Sequence, residues 1–138
     1  MSYRAGEPVT VLVVDDDEAN RNLACDVLAW AGFRVLQAED GATALTTFRR
    51  ERPDFVVLDL RMPGLDGLEV LRHIRESAPP YLASTPVIVT TALAFPVDAD
   101  RAMEAGANAL LVEPYPLRTL CATVRGLVGQ RVALELGD

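Results

Sequence analysis

Short apolar runs alternate with longer amphipathic stretches along the whole chain. The apolar runs are nearly continuous in valine, leucine and isoleucine, which is typical of strands buried on both faces of a parallel sheet. The amphipathic stretches repeat apolar residues at helical spacing, as Leu23, Val27 and Leu28 do in the first of them. The pattern predicts strands near 9–14, 34–38, 54–59, 86–91 and 109–112, and helices near 18–31, 41–51, 66–76, 97–105 and 117–128.

This alternation of strands and helices indicates the α/β fold class. Because crossovers between parallel strands are right-handed, five strands and five helices form a doubly wound sandwich with helices on both faces of one sheet. The length of 138 residues suits one domain with a sizeable core. We expect an N-terminal extension at 1–8, the domain at 9–128 and a short C-terminal tail at 129–138.

Charge and hydropathy exclude several functional classes. The net charge is −7 and the sequence has no basic cluster, so we expect no direct binding of nucleic acid by this domain. No apolar run approaches the roughly 20 residues that cross a bilayer, and residues 1–8 are not typical of a signal peptide. We therefore expect no membrane association and a cytoplasmic location, in which Cys25 and Cys121 stay reduced.

Chemically active side chains follow four of the predicted strands. Asp15 and Asp16 follow the first strand, Asp59 ends the third, Thr91 ends the fourth and Glu113 follows the fifth. The carboxyl ends of parallel strands share one edge of the sheet, and ligands bind at that edge. The sequence therefore predicts one acidic pocket with a hydroxyl group beside it.

Clustered carboxylates need a cation, and a carboxylate can also act as a nucleophile. Three acids at one edge repel one another, and Mg²⁺ relieves the repulsion because it accepts oxygen ligands and keeps several waters. A carboxylate is a competent nucleophile toward phosphorus, so the same pocket suits phosphoryl chemistry that works by positioning and charge neutralisation. We expect Mg²⁺ as the cofactor.

Over about residues 9–128 the chain resembles the receiver domain of two-component response regulators. The resemblance rests on the acidic pair after the first strand, the Asp-x-x-Met-Pro-Gly-x-Asp-Gly run at 59–67, Thr-Ala at 91–92, and Ala-Gly-Ala at 105–107 followed by x-Pro at 113–114. It implies a flavodoxin-like sheet in the strand order 2-1-3-4-5 and a cis peptide bond before Pro114.

The resemblance also implies residue roles. Asp59 would accept a phosphoryl group from a histidine kinase or a phosphotransfer protein, and a downstream protein partner would read its state. Asp16, Asp59 and the backbone carbonyl of Arg61 would bind Mg²⁺ directly, and Asp15 would bind it through a water. Thr91 would donate its hydroxyl to the phosphoryl oxygens. Such a chain is not an enzyme beyond its own phosphotransfer and dephosphorylation.

Two positions depart from the family pattern. Glu113 stands where the family carries a lysine, and all thirteen basic residues of this chain are arginines. At about 5 Å and an effective dielectric near 20, one like-charge contact costs roughly 3 kcal/mol, so phosphorylation is expected to be inefficient. Arg61 and Arg118 are the arginines that could compensate, although both are more simply interpreted as solvated surface charges. Leu110 stands where the family often carries an aromatic residue that changes rotamer on activation.

Three hypotheses follow. The first is a receiver that accepts a phosphoryl group on Asp59, which the intact acidic cluster and Thr91 favour. The second is a phosphorylation-independent docking module, which Glu113 and Leu110 favour. The third is a metal-dependent phosphohydrolase, which is the weakest because Arg61 stands where such enzymes commonly place a second acid.

Two helical features bear on protein partners. Trp30, late in the first helix, is expected to pack at the edge of the core, with an interface role as the alternative. The fourth and fifth predicted helices carry opposite charges that make a weak homodimer conceivable, although exposed ion pairs are individually weak. These charges are Asp98, Asp100, Glu104, Arg118 and Arg125.

Overall fold

The computed structural model describes residues 8–62, 64–92 and 96–135, so most of the predicted extension, Pro63 and the last three residues lie outside the described part. The strands are β1 (Thr10–Val14), β2 (Arg34–Ala38), β3 (Phe55–Asp59), β4 (Val87–Ala92) and β5 (Ala109–Glu113). The helices are α1 (Glu18–Trp30), α2 (Gly41–Glu51), α3 (Gly67–Arg75), α4 (Pro80–Ala83), α5 (Pro96–Glu104) and α6 (Leu117–Glu135).

The five strands form one parallel sheet in the order β2-β1-β3-β4-β5, which confirms the predicted fold class and strand order. The register places Val14 beside Leu58 and Asp59 beside Thr90. The ends of β1, β3 and β4 therefore meet at one edge, where a ligand site is expected in such a sheet.

Two apolar layers hold the helices on the sheet. On one face α1 and α6 pack over the sheet, with Leu28 and Leu120 fully buried against Phe55. On the other face the core is built from α2, α3, α4 and α5, with Phe48 and Ile74 among its largest buried side chains. A sheet covered on both faces explains why its strands read as continuous apolar runs.

Aspartates begin three of the helices. The side chain of Asp17 accepts a hydrogen bond from the backbone N–H of Asn20 at 3.0 Å, and Asp40 and Asp66 cap α2 and α3 in the same way. Such caps satisfy backbone N–H groups that have no partner inside the helix. Asp17 is therefore used as a helix cap although it directly follows the acidic pair.

Two predictions about the helices need correction. The prediction of five helices is wrong within the described residues, because a single helical turn at Pro80–Ala83 forms where a loop was expected. One turn is too short to show helical periodicity, although Pro80 at its start has the fixed φ that favours a helix N-terminus. The last helix continues to Glu135 instead of ending near 128, so most of the predicted tail is helical.

Two further observations concern the chain as a whole. The peptide bond between Glu113 and Pro114 is cis, as predicted, and that between Ala78 and Pro79 is also cis. Within the described residues, no helix combines the length and the apolar character needed to cross a membrane.

Candidate functional site

Three carboxylates come together at the carboxyl edge of the sheet. Asp15 and Asp16 follow β1, Asp59 ends the neighbouring β3, and one oxygen from each of the three lies within 4.8 Å of the other two. Asp15 is buried, Asp59 is half-buried and Asp16 is exposed. The sequence predicted this cluster correctly because the alternation of elements fixes which strand ends share an edge.

Backbone hydrogen bonds orient two of these acids. The N–H of Asp17 donates to Asp15 Oδ1 at 2.9 Å, and the N–H of Arg61 donates to Asp59 Oδ1 at 3.1 Å. The guanidinium of Arg21 donates to the backbone carbonyl of Asp15 at 2.9 Å and to Gln37 Oε1 at 3.0 Å. The loop after β1 is therefore tied to both α1 and β2, which fixes the direction of the acidic pair.

Burial and mutual repulsion hold these carboxyl groups toward their protonated forms. Burial, and after it the charges of Asp15, Glu113 and Asp16, raise the pKa of Asp59 to about 7, while the N–H of Arg61 opposes the shift. Burial also raises the pKa of Asp15 and of Glu113. The site is therefore rich in negative charge and needs a cation before all of its acids can ionise together.

The donor set suits a small hard cation. Three carboxylates that each offer an oxygen within a few ångströms match the oxygen ligands that Mg²⁺ takes in proteins. Mg²⁺ is held by few protein ligands and retains waters, so two or three carboxylates at an open edge are enough. The residues present therefore fit the expected metal.

Thr91 carries a hydroxyl with no hydrogen-bond partner. It lies in β4, one residue before the end of the strand and one beyond Thr90, which pairs with Asp59, and it is 2 % exposed. Its Oγ1 is buried and unpaired within the described residues. Buried polar atoms are nearly always satisfied, so this hydroxyl is held at some energetic cost, which is a frequent property of functional groups.

Glu113 lines a cavity beside the acids. The cavity has a volume of about 540 Å³, and its wall includes Asp15, Asn20, Leu23, Glu113 and Tyr115. Burial and then the charge of Glu113 raise the pKa of Tyr115 to about 12, so its hydroxyl stays protonated. Glu113 at the end of β5 and Tyr115 two residues later therefore add a fourth carboxyl group and a neutral phenol beside the acids.

An ion pair that the sequence did not predict crosses the site edge. The guanidinium of Arg61 donates to Asp98 Oδ2 through Nε at 3.0 Å and through Nη2. Arg61 was predicted as a Mg²⁺ ligand through its backbone carbonyl, as a cation that could compensate for Glu113, or as a solvated surface charge. No local signal links it to a residue 37 positions away, because the contact depends on how α5 packs on β4 and β5.

The other residues predicted to lie at the surface differ in their surroundings. Asp98 lies in this internal ion pair, whereas Asp100, Glu104, Arg118 and Arg125 are exposed on α5 and α6. Trp30 is 88 % exposed, so the expectation that it packs at the core edge is wrong.

Comparison with known proteins places these features in a family. The family model described as "Response regulator receiver domain" matches residues 11–125. The transcriptional regulatory protein TrcR of Mycobacterium tuberculosis is 38% identical over 130 residues, which cover 94% of this chain and 49% of TrcR. Response regulator MprA of Mycobacterium sp. (strain KMS) is 40% identical over 121 residues, covering 88% of this chain and 51% of MprA. The chain spans about half the length of these relatives.

Solved structures show the same fold. A response regulator from Chloroflexus aurantiacus superposes with a TM-score of 0.83 at 30% identity, covering 89% of this chain and 99% of that one. The chemotaxis protein CheY4 of Vibrio cholerae superposes with a TM-score of 0.80 at 29% identity, covering 86% of this chain and 98% of that one.

Proposed function

The chain belongs to the response regulator receiver family, and from that premise we propose that it accepts a phosphoryl group on Asp59 in a two-component signalling pathway. The donor would be a histidine kinase or a phosphotransfer protein, and the product would be an aspartyl phosphate. The observation that carries this proposal is the cluster of Asp15, Asp16 and Asp59 around one strand end. The reaction would be the chain's own phosphotransfer and dephosphorylation, not turnover of a separate substrate.

The chemistry begins with the carboxylate of Asp59. One of its oxygens attacks phosphorus, the bond from phosphorus to the donor atom breaks, and the donor leaves with that electron pair. Asp59 must first lose its proton, because its pKa of about 7 leaves part of the population protonated at neutral pH. Mg²⁺, when bound, supplies positive charge to the acids and to the phosphoryl oxygens.

The remaining residues have distinct roles in this proposal. Asp16, Asp59 and the backbone carbonyl of Arg61 would hold Mg²⁺ directly, and Asp15 would hold it through a water. Thr91 would donate its unpaired hydroxyl to a phosphoryl oxygen, which would satisfy that buried group. Glu113, which we infer replaces the family lysine, would oppose the added charge and make phosphorylation inefficient.

A second candidate function is a phosphorylation-independent docking module. The observation that favours it is the half-buried carboxyl of Glu113, whose charge raises the pKa of the acceptor instead of lowering it. Leu110, which is partly buried against the core, also offers no ring to change rotamer. In either function we propose a downstream protein partner.

Three finer points remain proposals. The exposed charges of α5 and α6 would support at most a weak homodimer. The net charge of −7 argues against direct nucleic-acid contact by this domain. Cys25 and Cys121 are free, which is consistent with the reducing cytoplasm.

Intact mass after incubation with Mg²⁺ and acetyl phosphate tests the proposal. Wild type should gain one phosphoryl group, Asp59→Asn should gain none, and Asp26→Asn, which alters an exposed acid on α1, should behave as wild type. No gain in wild type together with a gain in Glu113→Lys would favour the docking module. No gain in any variant would contradict phosphorylation at this site.

A further inference from the structure

A phosphoryl group on Asp59 would need positive charge from this chain. It would add roughly −1.5 to −2 charge at neutral pH to an edge that already holds three carboxylates and Glu113. Transfer of a phosphoryl group proceeds mainly by positioning and by stabilising such charge. Because the sequence contains no lysine, only an arginine can supply a side-chain cation with a permanent charge.

Among the described residues, the arginines in elements near the site differ in how they are held. Arg101 is exposed on α5 and lines the same cavity as Arg61. Arg21 is bound to the backbone of Asp15 and to Gln37, on the β2 side of the acidic pair. Arg118 is exposed in the first turn of α6. Arg61 is the one whose own backbone N–H touches the acceptor, at 3.1 Å from Asp59 Oδ1, so its side chain starts directly beside the reacting carboxylate.

The side chain of Arg61 forms an ion pair with Asp98. Both of the contacts described between them go to a single oxygen, Oδ2 of Asp98. The side chain of Arg61 is 54% exposed, whereas that of Asp98 is only 20% exposed. Arg61 is therefore open to water on its own side, but its departure would leave a largely buried carboxylate without this cation, so the exchange needs the greater negative charge of a phosphoryl group to draw the guanidinium away.

There is also room for the side chain to move. Arg61 and Asp98 both line a cavity of about 550 Å³ beside the start of α3, together with Met62 and Arg101. This space allows the guanidinium to part from Asp98 without displacing the buried core. Asp59 is not among the residues that line it, so the closeness of Arg61 to Asp59 rests on the backbone contact at 3.1 Å. A phosphoryl group offers a guanidinium two or three acceptor oxygens where Asp98 offers one, in the bidentate geometry that guanidinium groups favour.

We propose that Arg61 exchanges Asp98 for the phosphoryl group on Asp59 and so supplies the cation that Glu113 does not. This inference rests on the proposed function. Asp98 belongs to the first turn of α5, so the exchange also frees that turn from the loop after β3. One arginine would thus stabilise the phosphorylated state, and its departure from Asp98 would change the surface of α5.

The test compares phosphorylation rates of the full chain with Mg²⁺ and acetyl phosphate, followed by intact mass. Arg61→Gln, which keeps the backbone N–H and carbonyl, should slow labelling by on the order of tenfold. Arg61→Lys should restore part of the rate. Asp98→Asn should accelerate labelling by about two- to fivefold, because Arg61 no longer has a charged competitor. Arg72→Gln, an exposed arginine on α3, should match wild type.

The double variant Arg61→Gln/Asp98→Asn separates this exchange from a purely structural latch. If Arg61 exchanges partners, the double variant should be labelled as slowly as Arg61→Gln alone. If the ion pair only holds the structure together, Arg61→Gln and Asp98→Asn should both change the labelling rate in the same direction. If wild type and Arg61→Gln were labelled at the same rate, or if Arg118→Gln were labelled more slowly instead, the inference would be overturned and the proposed function would stand. No labelling of wild type would overturn both. Thermal melting of each variant checks that it is folded.

Discussion

The main chain of Asp59 lies so close to Gly67 that no side chain fits between them. A Cβ atom at Gly67 would lie 2.2 Å from the carbonyl oxygen of Asp59 and 2.6 Å from the Cα of Leu60. These are backbone atoms, which cannot move aside as a flexible side chain can. Helix α3 therefore begins in direct contact with the end of β3, and the position of Asp59 depends on a glycine eight residues later.

We expect Gly67→Ala to destabilise the fold by about 1–3 kcal/mol, as overpacking of a filled site does. It should also slow phosphorylation, because the end of β3 must shift. Urea denaturation measures the first effect and intact mass the second. Gly126→Ala is the matched control, since Gly126 is exposed in α6 with nothing within 4 Å of the added carbon. That change should stabilise the helix by up to about 1 kcal/mol, and equal losses in both variants would contradict the close contact.

Arg75 joins α3 to two loops on the side of the sheet that carries α4 and α5. Its guanidinium donates to the backbone carbonyls of Gly106, Ala83 and Thr85 and to Asn108 Oδ1, at 2.7–3.0 Å. Replacing it would leave several half-buried carbonyl groups without a donor.

We expect Arg75→Gln to lower the free energy of unfolding by about 2–4 kcal/mol, because charge-assisted bonds exceed ordinary ones in strength. Arg72→Gln, on the exposed face of the same helix, should stay within about 0.5 kcal/mol of wild type. The two midpoints in urea decide the matter, and a small loss in Arg75→Gln would show that water replaces the guanidinium readily.

The raised pKa of Asp59 makes stability fall as pH rises in the absence of divalent metal. An unfolded aspartate loses its proton near pH 3.8, whereas folded Asp59 retains it to about pH 7. Between these values the folded state binds more protons than the unfolded one, so stability declines from about pH 4 to pH 7. Because Asp59 is only half-buried, we expect a discounted effect of about 1–2 kcal/mol.

Thermal melting in EDTA at pH 5 and at pH 8 measures this dependence. Asp59→Asn should be more stable than wild type at pH 8. Its melting temperature should also change much less between pH 5 and pH 8 than that of wild type. If the variant and wild type changed with pH to the same extent, other groups would be responsible, with Asp15 and Glu113 the first to examine because burial raises the pKa of both.

Mg²⁺ should reverse this fall in stability with rising pH. Binding requires deprotonated carboxylates, so Mg²⁺ should stabilise the chain more at pH 8 than at pH 5. At 100 times the dissociation constant the gain is about 2.7 kcal/mol. Asp16→Asn should weaken the response at pH 8 whereas Asp26→Asn should not, as followed by the melting temperature against Mg²⁺ concentration. A response that is equal in both variants would place the metal elsewhere.

The sequence predicted those features that depend on local patterns. Continuous apolar runs identified the strands, and the rule that parallel strand ends share an edge brought Asp15 and Asp59 together. The helical period placed Leu28 in the core, where it is fully buried. Trp30 lies two residues later, about 200° around the helix from Leu28, so it faces solvent, and the prediction that it packs at the core edge was wrong.

The ion pair of Arg61 and Asp98 could not be predicted for a different reason. The two residues lie in a loop and in a helix that share no pattern, and only the packing of α5 on β4 and β5 brings them into contact. The same holds for the carbonyl groups bound by Arg75. Long side chains find their partners only after the elements have docked, so their contacts carry no signature in the sequence.

The strands that carry the acids of the site differ in how many neighbours they pair with. Strands β1 and β3 are hydrogen-bonded on both sides, whereas β5 pairs with β4 alone. A strand at the margin of a sheet opens at lower cost than one inside it. Asp59 thus ends a strand that is held on both sides, whereas Glu113 ends one that is held on a single side, so a displacement of β5 would change the negative field at Asp59 without moving β3 itself.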